Sequence, residues 1–177
     1  MTPDDVIPLH LADVTYPASH PLAGQDGPVL AFAIRHPDGI VLVDTGIGEG
    51  NEWIETNYQP RARKIREALN GAGLDADGVR VIVNSHLHFD HCGQNRAFPG
   101  VPIHVQKTEL DLALREGHTI VEWVDFPDAH YQAVEGDAEL QRVLDEVQRR
   151  ELDPLSAVEE IMSKVFKLGD GNRPDSR

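Results

Sequence analysis

A histidine-rich segment near the middle of this 177-residue chain reads Ser85-His86-Leu87-His88-Phe89-Asp90-His91-Cys92-Gly93. Three imidazoles and a carboxylate fall within six positions, directly after the apolar run of residues 79–83. Neutral imidazole and carboxylate are ligands that zinc, iron and manganese accept in proteins. The segment therefore predicts a metal-binding loop at the end of a buried strand. A solvated, histidine-rich turn is the simpler alternative.

The spacing inside this loop indicates how the ligands would divide. Side chains alternate between the two faces of an extended chain, which places His86, His88 and Asp90 on one face. His91 breaks that alternation, so the chain must turn between Asp90 and His91, and Gly93 would permit the turn. His86 and His88 could then bind one ion, and Asp90 and His91 could bind a second. Two ions about 3.5–4 Å apart can hold a hydroxide and polarise a carbonyl or phosphoryl group.

Composition limits the class of protein. The length suggests one domain, and 40% hydrophobic with 26% charged residues is typical of a globular chain. A formal net charge of -14 disfavours nucleic acid as a partner and fits a neutral or cationic substrate. The single cysteine, Cys92, excludes an internal disulfide and suits a reducing compartment. Because the chain shows neither a signal-peptide pattern nor a membrane-spanning run, we expect a cytoplasmic protein without membrane contact.

Strand and helix patterns around the loop favour an α/β arrangement. Apolar runs predict strands over residues 6–16, 29–35, 40–43, 79–83, 101–105 and 131–134. Helical patterns are predicted over 61–70 and 108–116, with irregular chain over 17–28 and 117–131. Apolar stripes over 140–147 and 155–166 predict two terminal helices, with core packing as their ordinary role and a partner-binding face as the alternative. These patterns give one domain over residues 1–168 and a flexible tail over 169–177.

A second polar segment, Asp44-Thr45-Gly46, ends the apolar strand of residues 40–43. Short polar residues with a glycine can simply form a turn, with Asp44 bonded to nearby backbone amides. Alternatively, Asp44 lies behind the metal ligands and orients one histidine through its free ring N–H. The residues alone leave both interpretations open.

These two segments together resemble the motifs of a known family. The HxHxDH pattern of residues 86–91, with Asp44-Thr45-Gly46 upstream, resembles the metallo-β-lactamase superfamily. The segments 98–99, 102–109 and 131–137 look most like its N-acyl homoserine lactonases, which act in quorum quenching. The resemblance covers residues 6–140, and the superfamily motifs are more specific than the subfamily features.

The resemblance implies an αβ/βα sandwich with two metal ions at one edge, expected to be Zn²⁺, with iron or manganese as alternatives. It implies that His86 and His88 bind the first ion. It assigns Asp90 and His91 to the second ion, with Asp44 supporting a ligand from behind. The implied reaction is hydrolysis of a lactone or related ester by a metal-bound hydroxide. Asp90 would also carry a proton toward the leaving alkoxide.

The sequence departs from the family after residue 137. The family's Pro-Gly-His element, bridging aspartate and final histidine have no recognisable counterpart, and no histidine follows His130. The pattern therefore predicts an incomplete sandwich, in which the first half joins a helical ending over residues 137–168. Those helices, or a second chain in a homodimer, would have to cover one sheet face. His104, His118, His130 or Cys92 could replace a missing ligand, although each has a simpler structural explanation.

Three hypotheses of function follow. The first is a metal-dependent hydrolase that opens a small-molecule lactone of the N-acyl homoserine type. The second is a truncated, catalytically impaired relative that binds metal or a partner without turnover. The third is a thioester hydrolase similar to glyoxalase II, which uses the same metal motif. Metal content per chain and substrate profiling separate them.

Overall fold

A seven-stranded mixed sheet organises the part of the chain that the computed structural model describes, which is residues 2–115, 117 and 119–134. The strands are β1 (Val6–Thr15), β2 (Asp26–His36), β3 (Gly39–Val43), β4 (Arg61–Ala62), β5 (Val79–Val83), β6 (Pro102–Gln106) and β7 (His130–Val134). The helices are α1 (Glu52–Tyr58), α2 (Ile65–Gly71), α3 (Phe89–Cys92), α4 (Lys107–Ala113) and α5 (Val121–Val124). Across the sheet the order is β4-β1-β2-β3-β5-β6-β7.

The direction of the strands places the polar segments together. Strands β4, β1, β2 and β3 pair antiparallel, whereas β3, β5, β6 and β7 pair parallel. Because parallel strands end at the same edge, the segments after β3 and β5 meet there, beside helix α4. The hairpin between β2 and β3 lies at the opposite edge, since β3 begins where that hairpin ends.

The core lies on both faces of the central strands. One face packs against α2, where Leu42 and Ile82 of the sheet and Leu69 of the helix are fully buried. The opposite face carries a smaller cluster of Ile34, Val41 and Val81. Both Val41 and Leu42 are fully buried, as expected for a strand whose residues are nearly all apolar.

Two segments differ locally from the prediction. The helix predicted from Arg61 begins only at Ile65, because Arg61 and Ala62 pair with β1 and the Gln94 side chain accepts from the Ile65 N–H. Helix α1 was not predicted, although the side chain of Asn51 caps it by accepting from the Ile54 N–H at 3.0 Å. Tertiary hydrogen bonds and a cap decide these boundaries more than average composition does.

Other predictions concern residues beyond the described part of the chain. The two predicted terminal helices, over 140–147 and 155–166, lie outside the described residues. None of the helices within the described part has the length and apolar character that crossing a bilayer requires.

Candidate metal centre

The histidine-rich loop leaves β5 extended and then turns into a single helical turn. His88 has extended backbone dihedrals, φ -67° and ψ 155°, and helix α3 begins at the next residue. The N–H groups of His91 and Cys92 both donate to the His88 carbonyl, at 3.0 and 3.2 Å. The prediction of a turn between Asp90 and His91 was therefore wrong by about one residue, because the helical turn that these bonds close already begins at Phe89.

Gly93 is required for a different reason than the one the sequence indicated. Its φ of -61° is ordinary for any residue, so the glycine provides no unusual turn here. A Cβ atom on Gly93 would instead lie 2.0 Å from the backbone nitrogen of Gly48. Gly93 also donates its N–H to the Gly46 carbonyl at 2.8 Å. The residue allows the loop to pack directly against the segment that follows β3.

The four predicted ligands lie close together in the folded chain. The ring centroid of His86 is 4.8 Å from that of His88 and 4.0 Å from that of His91. The Asp90 Oδ2 atom lies 3.6 Å from His91 Nε2. Two ligands of one tetrahedral zinc, with bonds of about 2.0–2.2 Å, have donor atoms about 3.4 Å apart. The Asp90 and His91 side chains are thus spaced as a pair of ligands to one ion would be.

Asp44 stands behind these ligands. Its Oδ1 accepts from the Ser85 N–H at 2.8 Å, and its Oδ2 accepts from the Ser85 hydroxyl at 2.8 Å. The same Oδ2 lies 2.8 Å from His91 Nδ1. The backbone of Asp44 lies in the left-handed region, with φ 63°, which is unusual for a residue other than glycine. Its carboxylate therefore contacts both a backbone amide and a histidine ring, so the two interpretations drawn from the sequence are compatible.

The electrostatics of the cluster distinguish the histidines. Burial lowers the pKa of His86, and the neighbouring His91 and His88 lower it further. Burial alone would also lower the pKa of His91, but the hydrogen bond to Asp44 and the charge of Asp90 outweigh it, so that pKa is raised. Metal binding requires neutral imidazole, and His86 is accordingly the more readily deprotonated of the two.

The donor types fit a divalent transition metal, but their placement forms only one side of a site. Within residues 2–134, Glu116 and His118 apart, no group of three or more His, Cys, Asp or Glu side chains is arranged to hold an ion. His86 Nδ1 lies 3.0 Å from the Ser85 hydroxyl, so Nε2 is the ring nitrogen that would face a metal.

The additional ligands considered from the sequence lie elsewhere. His104 is buried in β6, and its Nε2 atom has no hydrogen-bond partner among the described residues. His130 is exposed at the start of β7. His118 lies outside the described residues.

Cys92 is a buried thiol in the core beneath the loop. It is fully buried, and its Sγ donates to the carbonyls of Leu87 and His88, each at 3.3 Å. Burial raises the pKa of the thiol to about 12. Since the thiolate is the form that binds metal and attacks electrophiles, the raised pKa makes Cys92 a poor nucleophile and a poor candidate ligand.

We expect Cys92 to resist alkylation by iodoacetamide at pH 8 in the folded protein and to react fully once guanidinium unfolds the chain. At that pH a thiol of pKa about 12 is almost entirely protonated, and burial blocks access as well. Mass spectrometry after a timed reaction measures the modified fraction. Rapid alkylation of the folded protein would contradict the placement of this residue.

A cavity of about 670 Å³ opens beside the loop. It is lined mainly by aromatic and apolar side chains, together with His88 and Asp90; the others include Tyr16, His20, Trp53, Tyr58, Phe89 and Ile120. Tyr58 and Phe89 pack with ring centroids 4.7 Å apart. An apolar cavity that ends at a few polar groups is the usual form of a small-molecule site.

Several residues around the site were not predicted. Ser85 links Asp44 to the histidine loop, and Glu109 of α4 accepts from the Leu87 N–H at 2.9 Å. Asn84 was identifiable in principle, because an uncharged polar residue directly after an apolar strand lies near the functional edge. Trp53 carried no sequence signal, since only the fold brings it near the loop, whereas Asn95 lies two positions beyond the loop but fits no motif.

Comparison with known proteins identifies the family of this chain. The sequence profile of the metallo-beta-lactamase superfamily matches residues 24–153. The chain belongs to the metallo-β-lactamase superfamily. It is 35% identical over 125 residues to an N-acyl homoserine lactonase of Bacillus thuringiensis, covering 64% of this chain and 50% of the relative. It is 32% identical over 125 residues to an N-acyl homoserine lactonase of Bacillus cereus, with the same coverage.

Solved structures of this superfamily match the fold. A quorum-quenching N-acyl homoserine lactone hydrolase aligns with a TM-score of 0.62 at 29% identity, over 74% of this chain and 57% of the other. A mutant lactonase of B. thuringiensis with N-decanoyl-L-homoserine at its active site aligns with a TM-score of 0.58 at 28% identity, over 75% and 59%. The predicted superfamily, the likeness to its N-acyl homoserine lactonases and the metallo-β-lactamase fold class are confirmed. The chain spans about half the length of the curated relatives that it matches.

Proposed function

We propose that this chain is a metal-dependent hydrolase that opens lactones of the N-acyl homoserine type. The observation that carries the proposal is the cluster of His86, His88, Asp90 and His91, two of which, His88 and Asp90, line an apolar cavity. The likeness to N-acyl homoserine lactonases at up to 35% identity supports the substrate class. A related hydrolase with N-hexanoyl-L-homoserine at its catalytic metal centre, with a TM-score of 0.58, supports the placement of the chemistry.

The cluster would hold the metal with two pairs of ligands. His86 and His88 would bind one ion. Asp90 and His91 would bind a second, with His91 using Nε2 because its Nδ1 faces Asp44 at 2.8 Å. Zinc bound there would act as a Lewis acid on the lactone carbonyl and lower the pKa of water.

Asp90 is proposed to move the proton. Its carboxylate lines the cavity and lies 3.6 Å from His91 Nε2, so it stands between the proposed metal ligands and the space for the substrate. Opening a lactone leaves an alkoxide that must be protonated, and a carboxyl group within hydrogen-bond reach can provide that proton. Asp90 would take the proton from the attacking water and pass it to the alkoxide oxygen.

The aromatic walls are proposed to hold the acyl chain. Trp53 is 58% exposed at the rim, while Phe89 and Tyr58 pack against each other deeper in the cavity. An acyl chain is neutral and apolar, so the negative charge of the protein does not oppose its binding. Each buried methylene contributes about 0.8 kcal/mol, which gives longer chains tighter binding.

The direct test combines metal content with turnover on the full chain. Purified protein supplied with Zn²⁺ is analysed for metal by elemental analysis, and lactone opening is followed by the acid that it releases. Bound zinc together with ring opening would support the proposal. Metal-replete protein without turnover on lactones, esters or thioesters would contradict it.

A second candidate is a relative that binds metal without turnover. The absence of a three-donor group among the described residues favours this alternative. Bound metal with no turnover is its expected signature, and ring opening by the chain as it stands would exclude it.

Trp53→Ala is expected to raise KM for an N-decanoyl lactone by about tenfold, or about 1.4 kcal/mol, while kcat stays within about twofold. The reason is that the variant removes apolar wall at the cavity rim without touching the proposed ligands. KM for a short acetyl lactone should change little, because its chain does not reach the rim. Initial-rate kinetics on the two substrates measure the difference.

Thr56→Ala is the matched control, because Thr56 is exposed on the same helix and is not among the residues that line the cavity. Equal increases in KM for both substrates, or the same effect in Thr56→Ala, would contradict the role of Trp53.

A further inference from the structure

We infer that a buried chain of hydrogen bonds through Thr45, Asn95 and Asn84 positions His91 for metal binding. The inference rests on the proposed function, which makes His91 a metal ligand. None of the three residues carries a charge. Thr45 and Asn95 are fully buried, and Asn84 is 3% exposed. Polar groups buried so completely need partners, and these three satisfy one another.

The chain ends at the backbone carbonyl of His91. The Thr45 N–H donates to this oxygen at 2.7 Å, and Asn84 Nδ2 donates to it at 3.2 Å. A carbonyl oxygen has two lone pairs, so these two donors satisfy it. The Thr45 hydroxyl lies 3.3 Å from the same oxygen but only 2.8 Å from Asn95 Oδ1. Its single proton is therefore assigned to the bond with Asn95.

The direction of each bond follows from the His91 carbonyl. A carbonyl can only accept, so the nitrogen of the Asn84 amide must face it and the Asn84 oxygen must face away. Asn84 Oδ1 then accepts from Asn95 Nδ2 at 2.8 Å. This leaves Asn95 Oδ1 to accept from Thr45. A reversed amide at either asparagine would place two like atoms in contact, so the chain has one consistent arrangement.

His91 is consequently held at both ends. Its carbonyl is bound by Thr45 and Asn84, while its ring Nδ1 lies 2.8 Å from Asp44. Helix α3, which contains His91, has four residues and cannot fix the ring direction alone. The chain also joins the segment after β3 to the segment after β5. Together these contacts aim Nε2 at the side where Asp90 lies.

We expect Asn84→Leu to weaken Co²⁺ binding by the full chain by about 10–100-fold, the range typical of residues that orient ligands. Thr45→Val keeps the shape and the backbone N–H that binds the His91 carbonyl but removes the hydroxyl bonded to Asn95, so its loss of affinity should be smaller, about threefold to tenfold. Thr45→Ser restores the hydroxyl and should bind Co²⁺ within about twofold of the unsubstituted protein. Visible absorption during Co²⁺ titration measures affinity and ligand geometry without any need for turnover.

Leu69→Ala is the control for stability, because Leu69 is a fully buried core residue of α2 outside the cluster. It should lower the melting temperature without changing the Co²⁺ affinity or spectrum. If Asn84→Leu does not fold, the Thr45→Val and Thr45→Ser pair decides the question. Unchanged Co²⁺ affinity in Thr45→Val, or equal losses of Co²⁺ affinity in Thr45→Val and Leu69→Ala, would overturn this inference and leave the proposed function standing. Failure of the unsubstituted protein to bind Co²⁺ would overturn the proposed function as well.

Discussion

Replacing His88 with alanine is expected to abolish lactone opening by the zinc-supplied protein, with kcat/KM falling by at least about a hundredfold. Residues that only orient metal ligands cost 10–100-fold when removed, and a direct ligand should cost no less. The backbone should be preserved, because the His88 side chain makes no capping hydrogen bond at the start of α3. Elemental analysis should show a matching loss of bound zinc.

His36→Ala is the matched control for this variant. His36 ends β2 in the hairpin at the opposite edge of the sheet, where its Nδ1 accepts from the Asp38 N–H at 3.2 Å. The substitution removes one imidazole without reaching the histidine-rich loop. Turnover and zinc content should therefore stay close to those of the unsubstituted chain. Retained turnover in His88→Ala, or equal losses in the two variants, would contradict the assignment of His88.

Gly93→Ala is expected to destabilise the fold by at least about 3 kcal/mol, because the added methyl group would collide with backbone. The nearest atoms are Gly48 N at 2.0 Å, Ile47 C at 2.7 Å and the Phe89 carbonyl oxygen at 2.8 Å. None of these can move as a flexible side chain does. Relief would require separating the loop from the segment after β3. Thermal unfolding should show a midpoint lower by about 6 °C or more.

Gly71→Ala is the control, since no atom lies within 4 Å of an added Cβ at that position. Gly71 is the last residue of α2, where alanine is at least as favourable as glycine. The melting temperature of the Gly71→Ala protein should stay the same or rise slightly. A Gly93→Ala protein as stable as Gly71→Ala would show that the two segments are not packed as closely as described.

The sequence predicted the architecture of the site well because local pattern determined it. The apolar run of residues 79–83 matches strand β5, and the polar residues that follow it form the loop. The parallel pairing of β3 with β5 then brings Asp44 to His91, 47 positions further along the chain. That meeting follows from strand direction, which a strand–helix–strand pattern already favours.

The incorrect predictions share a cause that lies outside local pattern. Arg61 and Ala62 have helical composition but pair with β1, and the Gln94 side chain fixes the start of α2. Gly93 was interpreted as a turn residue, although its φ of -61° is ordinary. Each depends on a partner distant in sequence, and no window of neighbouring residues contains that partner.

The sequence by itself determined the family, the strand that delivers the histidines and the four residue types that could bind metal, because these depend on side-chain chemistry and short spacing. Only the tertiary structure decided how His91 is held. Asp44 contacts its ring, Asn84 and the Thr45 N–H donate directly to its carbonyl, and Asn95 joins the side chains of those two residues. The physical reason is that hydrogen bonds between buried groups require positions and angles accurate to a few tenths of an ångström. Such accuracy arises only after the strands have paired and the two segments have packed.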